Sequence, residues 1–134
     1  MLPLSVSPAN EIRSFVRHWM KLLAEGRLHE ACRLLDEPNS YGLVWTPERL
    51  ITVLRDNLGE GTRFGIHHPE GPQFTDPDEL PDQAHEVGIL EGDKGYRFDY
   101  DLPLNHERSD LTAQFEFLKK PHGYAVVLHE FHVW

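Results

Sequence analysis

Between residues 12 and 36 the apolar positions recur at helical spacing, interrupted by one glycine. Ile12, Phe15, Val16, Trp19, Leu22 and Leu23 form a first stripe, and Leu28, Ala31, Cys32 and Leu35 form a second after Glu25-Gly26. Steps of three and four predict two amphipathic helices, about residues 8–25 and 28–35, with Gly26 stopping the first. Ser7 can cap the opening amides, and Pro8 suits a first turn in which its missing N–H leaves nothing unpaired. Thr46-Pro47 repeats that start signal for a third helix, which runs through Leu50, Ile51, Leu54 and Leu58 to Gly59.

From Gln83 onward the period falls to two, the repeat of strands. A strand over about Ala84–Leu90 leads through Glu91-Gly92-Asp93-Lys94-Gly95 into a second, where Tyr96, Phe98, Tyr100 and Leu102 alternate with Arg97, Asp99 and Asp101. A third puts Leu111, Ala113, Phe115 and Phe117 on one face, with Thr112, Gln114 and Glu116 on the other. Strict alternation in the fourth, Tyr124–Trp134, groups Ala125, Val127, His129, Phe131 and Val133 against Tyr124, Val126, Leu128, Glu130, His132 and Trp134. Both of its faces are largely apolar, which predicts a central or doubly covered strand. Between helices and strands, residues 67–83 carry four Pro dipeptides, at Pro69, Pro72, Pro77 and Pro81, and regular structure is excluded over most of them. A long connection of this kind is where pattern alone would put a binding surface.

At 134 residues the chain forms one domain, residues 1–134, large enough to bury about two thirds of its unfolded surface. No apolar run approaches the ~20 residues of a membrane span, and no secretory leader is visible. The single cysteine, Cys32, excludes an internal disulfide framework and suits a cytoplasmic setting; on an apolar helix face it reads as a small buried hydrophobe. The net charge of −9 argues against nucleic-acid binding and is compatible with a basic partner. Eight carboxylates and no Lys or Arg lie between Phe64 and Asp93, and Glu70, Asp76, Asp78, Glu79 and Asp82 are the candidate partner-binding residues. Arg13, Arg17 and Lys21 stripe the first helix and read as a solvated face.

Helices followed by an antiparallel meander make an α+β plan. The segment Trp19–Leu35, read as helix, Glu25-Gly26-Arg27 turn and helix, resembles the nuclear transport factor 2-like superfamily. The resemblance implies three N-terminal helices packed in the concave face of a curved, mostly antiparallel sheet of four to six strands. It also implies a pocket at the wide end of the cone and a homodimer built on the opposite sheet face. Its isomerase branch keeps a tyrosine seven residues before the glycine, where this chain has Trp19, and a catalytic aspartate near Leu43, where Tyr41–Trp45 offers no acid. Steroid-isomerase chemistry is therefore not expected.

Nine histidines invite a metal, but His129 and His132 point to opposite faces of a regular strand, and His67-His68 lack a second pair at zinc spacing. No metal and no cofactor are expected. The candidate catalytic set is His132 with Glu130 and Asp99, a His–carboxylate group able to serve as general base if the sheet faces carrying Arg97, Asp99, Asp101, Gln114, Glu116, Glu130 and His132 coincide and face a pocket. The competing reading makes that face solvated or dimer-forming, with Arg97 opposite a carboxylate. Two functions follow. One is an interaction protein, a toxin-neutralising immunity protein meeting a basic partner through the acidic stretch. The other is a small-molecule binder or enzyme whose pocket is lined by Trp19, Trp45, Tyr96 and Phe98.

Overall fold

Three of the helix signals and the strand period give the main elements of the computed structural model, which describes residues 1–3, 7–80 and 87–133. Helix α1 is Pro8–Ala24, α2 Leu28–Arg33, α3 Pro47–Leu58 and α4 Arg63–His67; strands β1 Val87–Ile89, β2 Gly95–Leu104, β3 Glu107–Lys120 and β4 Gly123–Val133 follow. Thr46 caps α3 as its sequence implies, Oγ1 accepting from Arg49 N at 3.2 Å. Ser7 makes no side-chain cap; its carbonyl takes the Asn10 and Glu11 amides instead. Gly26 joins α1 to α2 at φ +75°, a left-handed conformation that side chains resist.

The strands form one antiparallel sheet in the order β1-β2-β3-β4. The expected first strand begins inside residues 81–86, which lie outside the described residues. Tyr96, Phe98, Phe115 and Phe117 share the face toward α1: Phe15 meets Phe117 edge-on at 6.0 Å, and Trp19 meets Phe115 edge-on at 5.0 Å. The core lies in this layer, with Ile12, Val16, Met20, Leu50, Leu54, Leu102, Leu104, Leu111, Val126 and Leu128. Cys32 is half-buried against it, and burial pushes its thiol up. Among the described residues no helix is long and apolar enough to cross a membrane.

β4 departs from strict alternation. Gln114 pairs with Glu130 but Phe115 with Leu128, so His129 is an extra residue, a β-bulge. The bulge shifts the side-chain phase. Tyr124, Val126 and Leu128 share the core face with Phe131, not with Glu130 and His132, and the expected grouping of β4 is corrected accordingly.

Among the described residues the far edge of β4 has no further strand, and residues near the helices pair its backbone. Leu2 exchanges backbone hydrogen bonds with Tyr124 at 2.9 and 2.7 Å. Asp36 takes the Val126 amide on its carboxylate and donates its own N–H to the Val126 carbonyl, both at 2.8 Å. Trp45 Nε1 donates to Leu128 O at 2.7 Å, and Asn39 Nδ2 donates to His129 O at 2.8 Å. Asn39 Oδ1 in turn accepts the amides of Tyr41 and Leu43, each at 3.0 Å.

Candidate functional site

The proline-rich connection is tied down along its described part, up to Leu80. Thr62 caps α4, Oγ1 accepting from Gly65 N at 3.0 Å. A Cβ on Gly65 would stand 2.1 Å from Gly59 O, so only glycine lets α4 close over the end of α3. Beyond α4, Asn105 at the β2–β3 turn clasps the chain, Oδ1 accepting from Gln73 N at 2.7 Å and Nδ2 donating to Glu70 Oε1 and Gly71 O, both at 3.1 Å. Phe74 bridges to Leu104, Thr75 N donates to Pro103 O at 3.0 Å, and Thr75 Oγ1 accepts from His106 N at 2.9 Å.

These ties use the acidic residues singled out in the sequence. Asp78 accepts from Arg17 Nε at 3.1 Å and is paired with Lys21, so the basic stripe of α1 holds the connection rather than facing solvent alone. The hydrogen bonds from Lys21 and Arg17 hold the Asp78 carboxyl below its usual range. Asp76 Oδ1 accepts from Asp78 N at 2.8 Å, and Glu79 pairs with His106 Nδ1 at 2.9 Å. Glu70 lies below the usual carboxylate range through hydrogen bonds from its own backbone N–H, His68 and Asn105. Asp82 lies outside the described residues.

Strapping the connection to the hairpin walls in a cleft of about 510 Å³. Its helix side is Asn57 and Leu58 from the end of α3 with Arg63, Phe64, His67 and His68; its sheet side is Leu104, Glu107 to Leu111 and Val133. Leu58, Leu104 and Leu111 are buried and form an apolar floor. His68 packs on the Phe64 ring at 4.4 Å, its Nδ1 lying 3.3 Å from Glu70 Oε1 and its Nε2 3.6 Å from Glu107 Oε1. Asn105 Nδ2 is 3.4 Å from the same Nδ1 but has nearer acceptors in Glu70 and Gly71. Nδ1 thus faces Glu70 and Nε2 faces Glu107, so the ring is oriented between two carboxylates at the cleft wall. An imidazole oriented in this way can pass a proton to or from a bound ligand.

The residues expected to line a pocket do not line this one. Trp19, Trp45 and Phe98 are buried core, and half-buried Tyr96 packs on Tyr124 at 5.6 Å. The Trp45 indole serves the β4 edge and its ring meets Phe131 at 5.5 Å; among the described residues the Trp19 N–H has no hydrogen-bond partner.

The polar sheet faces do coincide, because the register sets Asp99 opposite Gln114, Gln114 opposite Glu130, and Thr112 opposite both Asp101 and His132. That common face is the one away from α1, outside the cleft. On it Arg97 lies opposite Glu116, and Thr112 Oγ1 donates to Asp101 Oδ1 at 2.7 Å. The bulged His129 stands 4.0 Å from Glu116 and 3.9 Å from Glu130, its ring stacked on Tyr41 at 5.7 Å. Among the described residues no three His, Cys, Asp or Glu side chains are set to hold a metal.

Sequence reading missed the His68–Glu70–Asn105 group. Asn105 sits far along the chain from the loop it clasps, in a turn whose positive φ of +52° is its one local signal. Helix α4 is too short to display a period, although Thr62 is a legible cap. Residues 62–134 match the model of a family described as Domain of unknown function (DUF7668), just over half of the chain, and the chain belongs to that family. No curated protein and no solved structure matches it. All of the cleft lining except Asn57 and Leu58 lies within the matched segment.

Proposed function

We propose that this member of the family is a small-molecule-binding protein of the nuclear transport factor 2-like kind, with its ligand in the cleft between α3–α4 and the β2–β3 hairpin. The observation that carries the reading is the cleft itself, a hollow of about 510 Å³ with an apolar floor and polar groups on its walls. The oriented His68 adds an acid–base group to that wall, which suits either binding or proton transfer. The cone-shaped, curved-sheet reading draws support from element order and from the glycine-broken helix pair packed on a four-stranded meander.

The test is a ligand screen by thermal shift, repeated on Val133→Trp, which fills the rim of the cleft with an indole. A ligand at a hundredfold excess over Kd stabilises by about 2.7 kcal/mol, several degrees in Tm. Shifts seen in the natural chain and absent in V133W support the reading; ligands indifferent to V133W overturn it.

A second reading, binding of a basic protein partner in the manner of an immunity protein, is favoured by one surface. Tyr41, 77% exposed, lies on His129 beside Glu116 and Glu130, an aromatic plate next to carboxylates. Association with such a partner would weaken with salt, and a salt-insensitive complex would remove this reading.

A further inference from the structure

Helix α4 meets the cleft with one face. Arg63, Phe64, His67 and His68 line the hollow, whereas Gly65 and Ile66 do not. Steps of one and four keep to one side of a helix. The two excluded residues are turned away from it: a Cβ on Gly65 would stand 2.1 Å from Gly59 O, and Ile66 is 72% exposed. The side chains of Arg63 and His67 therefore stand on the cleft side of α4. On β3 the alternation sorts the lining in the same way. Glu107, 3.6 Å from His68, and core Leu111 share the cleft phase. Arg108 and Asp110 take the opposite phase, where Arg108 Nε donates to Asp101 Oδ2 at 2.7 Å.

His68 and Glu107 face each other, but among the described residues the side chains of Arg63 and His67 have no ion-pair or hydrogen-bond partner. We propose that the cleft takes a small monocarboxylic acid with an apolar body, its carboxylate on the Arg63 guanidinium with the His67 imidazole as a second donor, and its body on the floor of Leu58, Leu104 and Leu111. The inference rests on the small-molecule reading above and adds the class of ligand. A guanidinium without a counterpart beside an apolar hollow matches a ligand with one anionic end. Its planar fork makes two parallel bonds to a carboxylate, which an amide or an alcohol cannot match. At a helical rise of about 1.5 Å per residue, Arg63 stands about 7–8 Å along α4 from the His68–Glu107 pair. Glu107 makes that far end unfavourable to a second carboxylate, so a monoacid is selected over a diacid. The net charge of −9 opposes anions at long range, so any preference for the acid over a neutral molecule of the same shape has to arise at the cleft. The volume of about 510 Å³ lies within the range of pockets that enclose drug-sized ligands.

Isothermal titration calorimetry with naphthylacetate, decanoate, naphthylacetamide and acetate tests this. The two apolar acids should bind, with the amide about tenfold or more weaker than its acid. Acetate, which has no body to cover the floor, should be about a hundredfold weaker. In Arg63→Gln the preference for naphthylacetate over its amide should vanish while the amide binds as before. Arg63 is exposed and unengaged, so this variant should retain the fold. The proposal is overturned if acid and amide bind alike, if Arg63→Gln leaves the preference in place, or if neither acid binds up to millimolar concentration. The cleft reading survives that last result where other ligands remain sensitive to Val133→Trp, and falls where all ligands ignore it.

Discussion

His68 and His129 are framed alike, each between two carboxylates with an aromatic ring on one face. Glu70, Glu107 and Phe64 surround the first; Glu116, Glu130 and Tyr41 surround the second. The differences lie in distance and in what lies alongside. Glu70 is 3.3 Å from His68 and is itself fixed by Asn105, whereas both carboxylates around His129 stand at about 4 Å, beyond hydrogen-bond reach. His68 lines a hollow with an apolar floor, while His129 sits on the sheet face away from α1 with the most exposed tyrosine of the described surface against it. The same side-chain chemistry thus makes an oriented group in one region and a loose surface cluster in the other. Concavity and a third residue fixing the carboxylate separate them.

The bulge region should be the more sensitive to core substitution, because its backbone is paired by side chains rather than by a neighbouring strand. Trp45→Ala removes a buried ring and leaves the Leu128 carbonyl unpaired, and should cost about 3–5 kcal/mol in urea unfolding. Trp45→Phe should cost less but still exceed Trp19→Phe, since among the described residues the Trp19 N–H has no partner to lose. Equal costs for the two Phe variants would contradict this account of the edge. Asn39→Ala comes next, at about 2–3 kcal/mol, because three backbone groups lose their partner at a position that is 7% exposed. Its local signature is faster amide exchange at Tyr41 and Leu43 with the cleft amides unchanged.

On the cleft side the matching residue is Asn105. Asn105→Ala gives up the bonds to Gln73, Glu70 and Gly71 and puts a residue without a local hydrogen bond at φ +52°, at about 2 kcal/mol. The His68 ring signals in an NMR spectrum should move while those of His129 stay, and movement of both would mean that the two regions are coupled.

Helices α1 and α3 were legible in the sequence with their boundaries within a residue or two, because a long amphipathic stripe between a capping residue and a glycine has few alternative readings. Helix α2 ends at Arg33 rather than near Leu35, a loss of half a turn where Leu34 and Leu35 pass into the segment that pairs the β4 edge. The bulge at His129 left no local signal, since an extra residue in an apolar strand leaves the composition unchanged; it becomes visible only when β3 fixes the register. The polar sheet face was legible residue by residue, but whether it faced a pocket depended on which side the helices took. The cleft was not legible at all: its lining is drawn from α3, α4, the hairpin and the end of β4, and no spacing rule links them. The acidic run was visible as charge, while its engagement with Arg17, Lys21, His68, Asn105 and His106 depends on contacts remote in sequence.

Acid should loosen the cleft region through those contacts. Asp78 and Glu70 both have carboxyls held below the ordinary range, so in each the folded state favours the ionised form. Their contribution to stability is present above the unfolded pKa of about 4 and is lost as pH falls through the lower folded value. Asp78→Asn should flatten the acid limb of the stability profile, with an unchanged profile counting against the strap, and should speed exchange at Leu80 more than at Val126.

The smallest effect on stability belongs to Tyr41. Its ring is exposed and its backbone amide, not its phenol, is what Asn39 holds, so Tyr41→Ala should shift unfolding by no more than about 0.5–1 kcal/mol. That near-neutrality makes it a clean probe of the surface around His129. If a basic partner docks there, Tyr41→Ala weakens the complex while ligand binding at the cleft stays as it was, because the two regions share no side chain. Loss of cleft binding in Tyr41→Ala would instead mean that the loop behind Asn39 and the end of β4 move together, with Val133 carrying the change from the bulge to the rim.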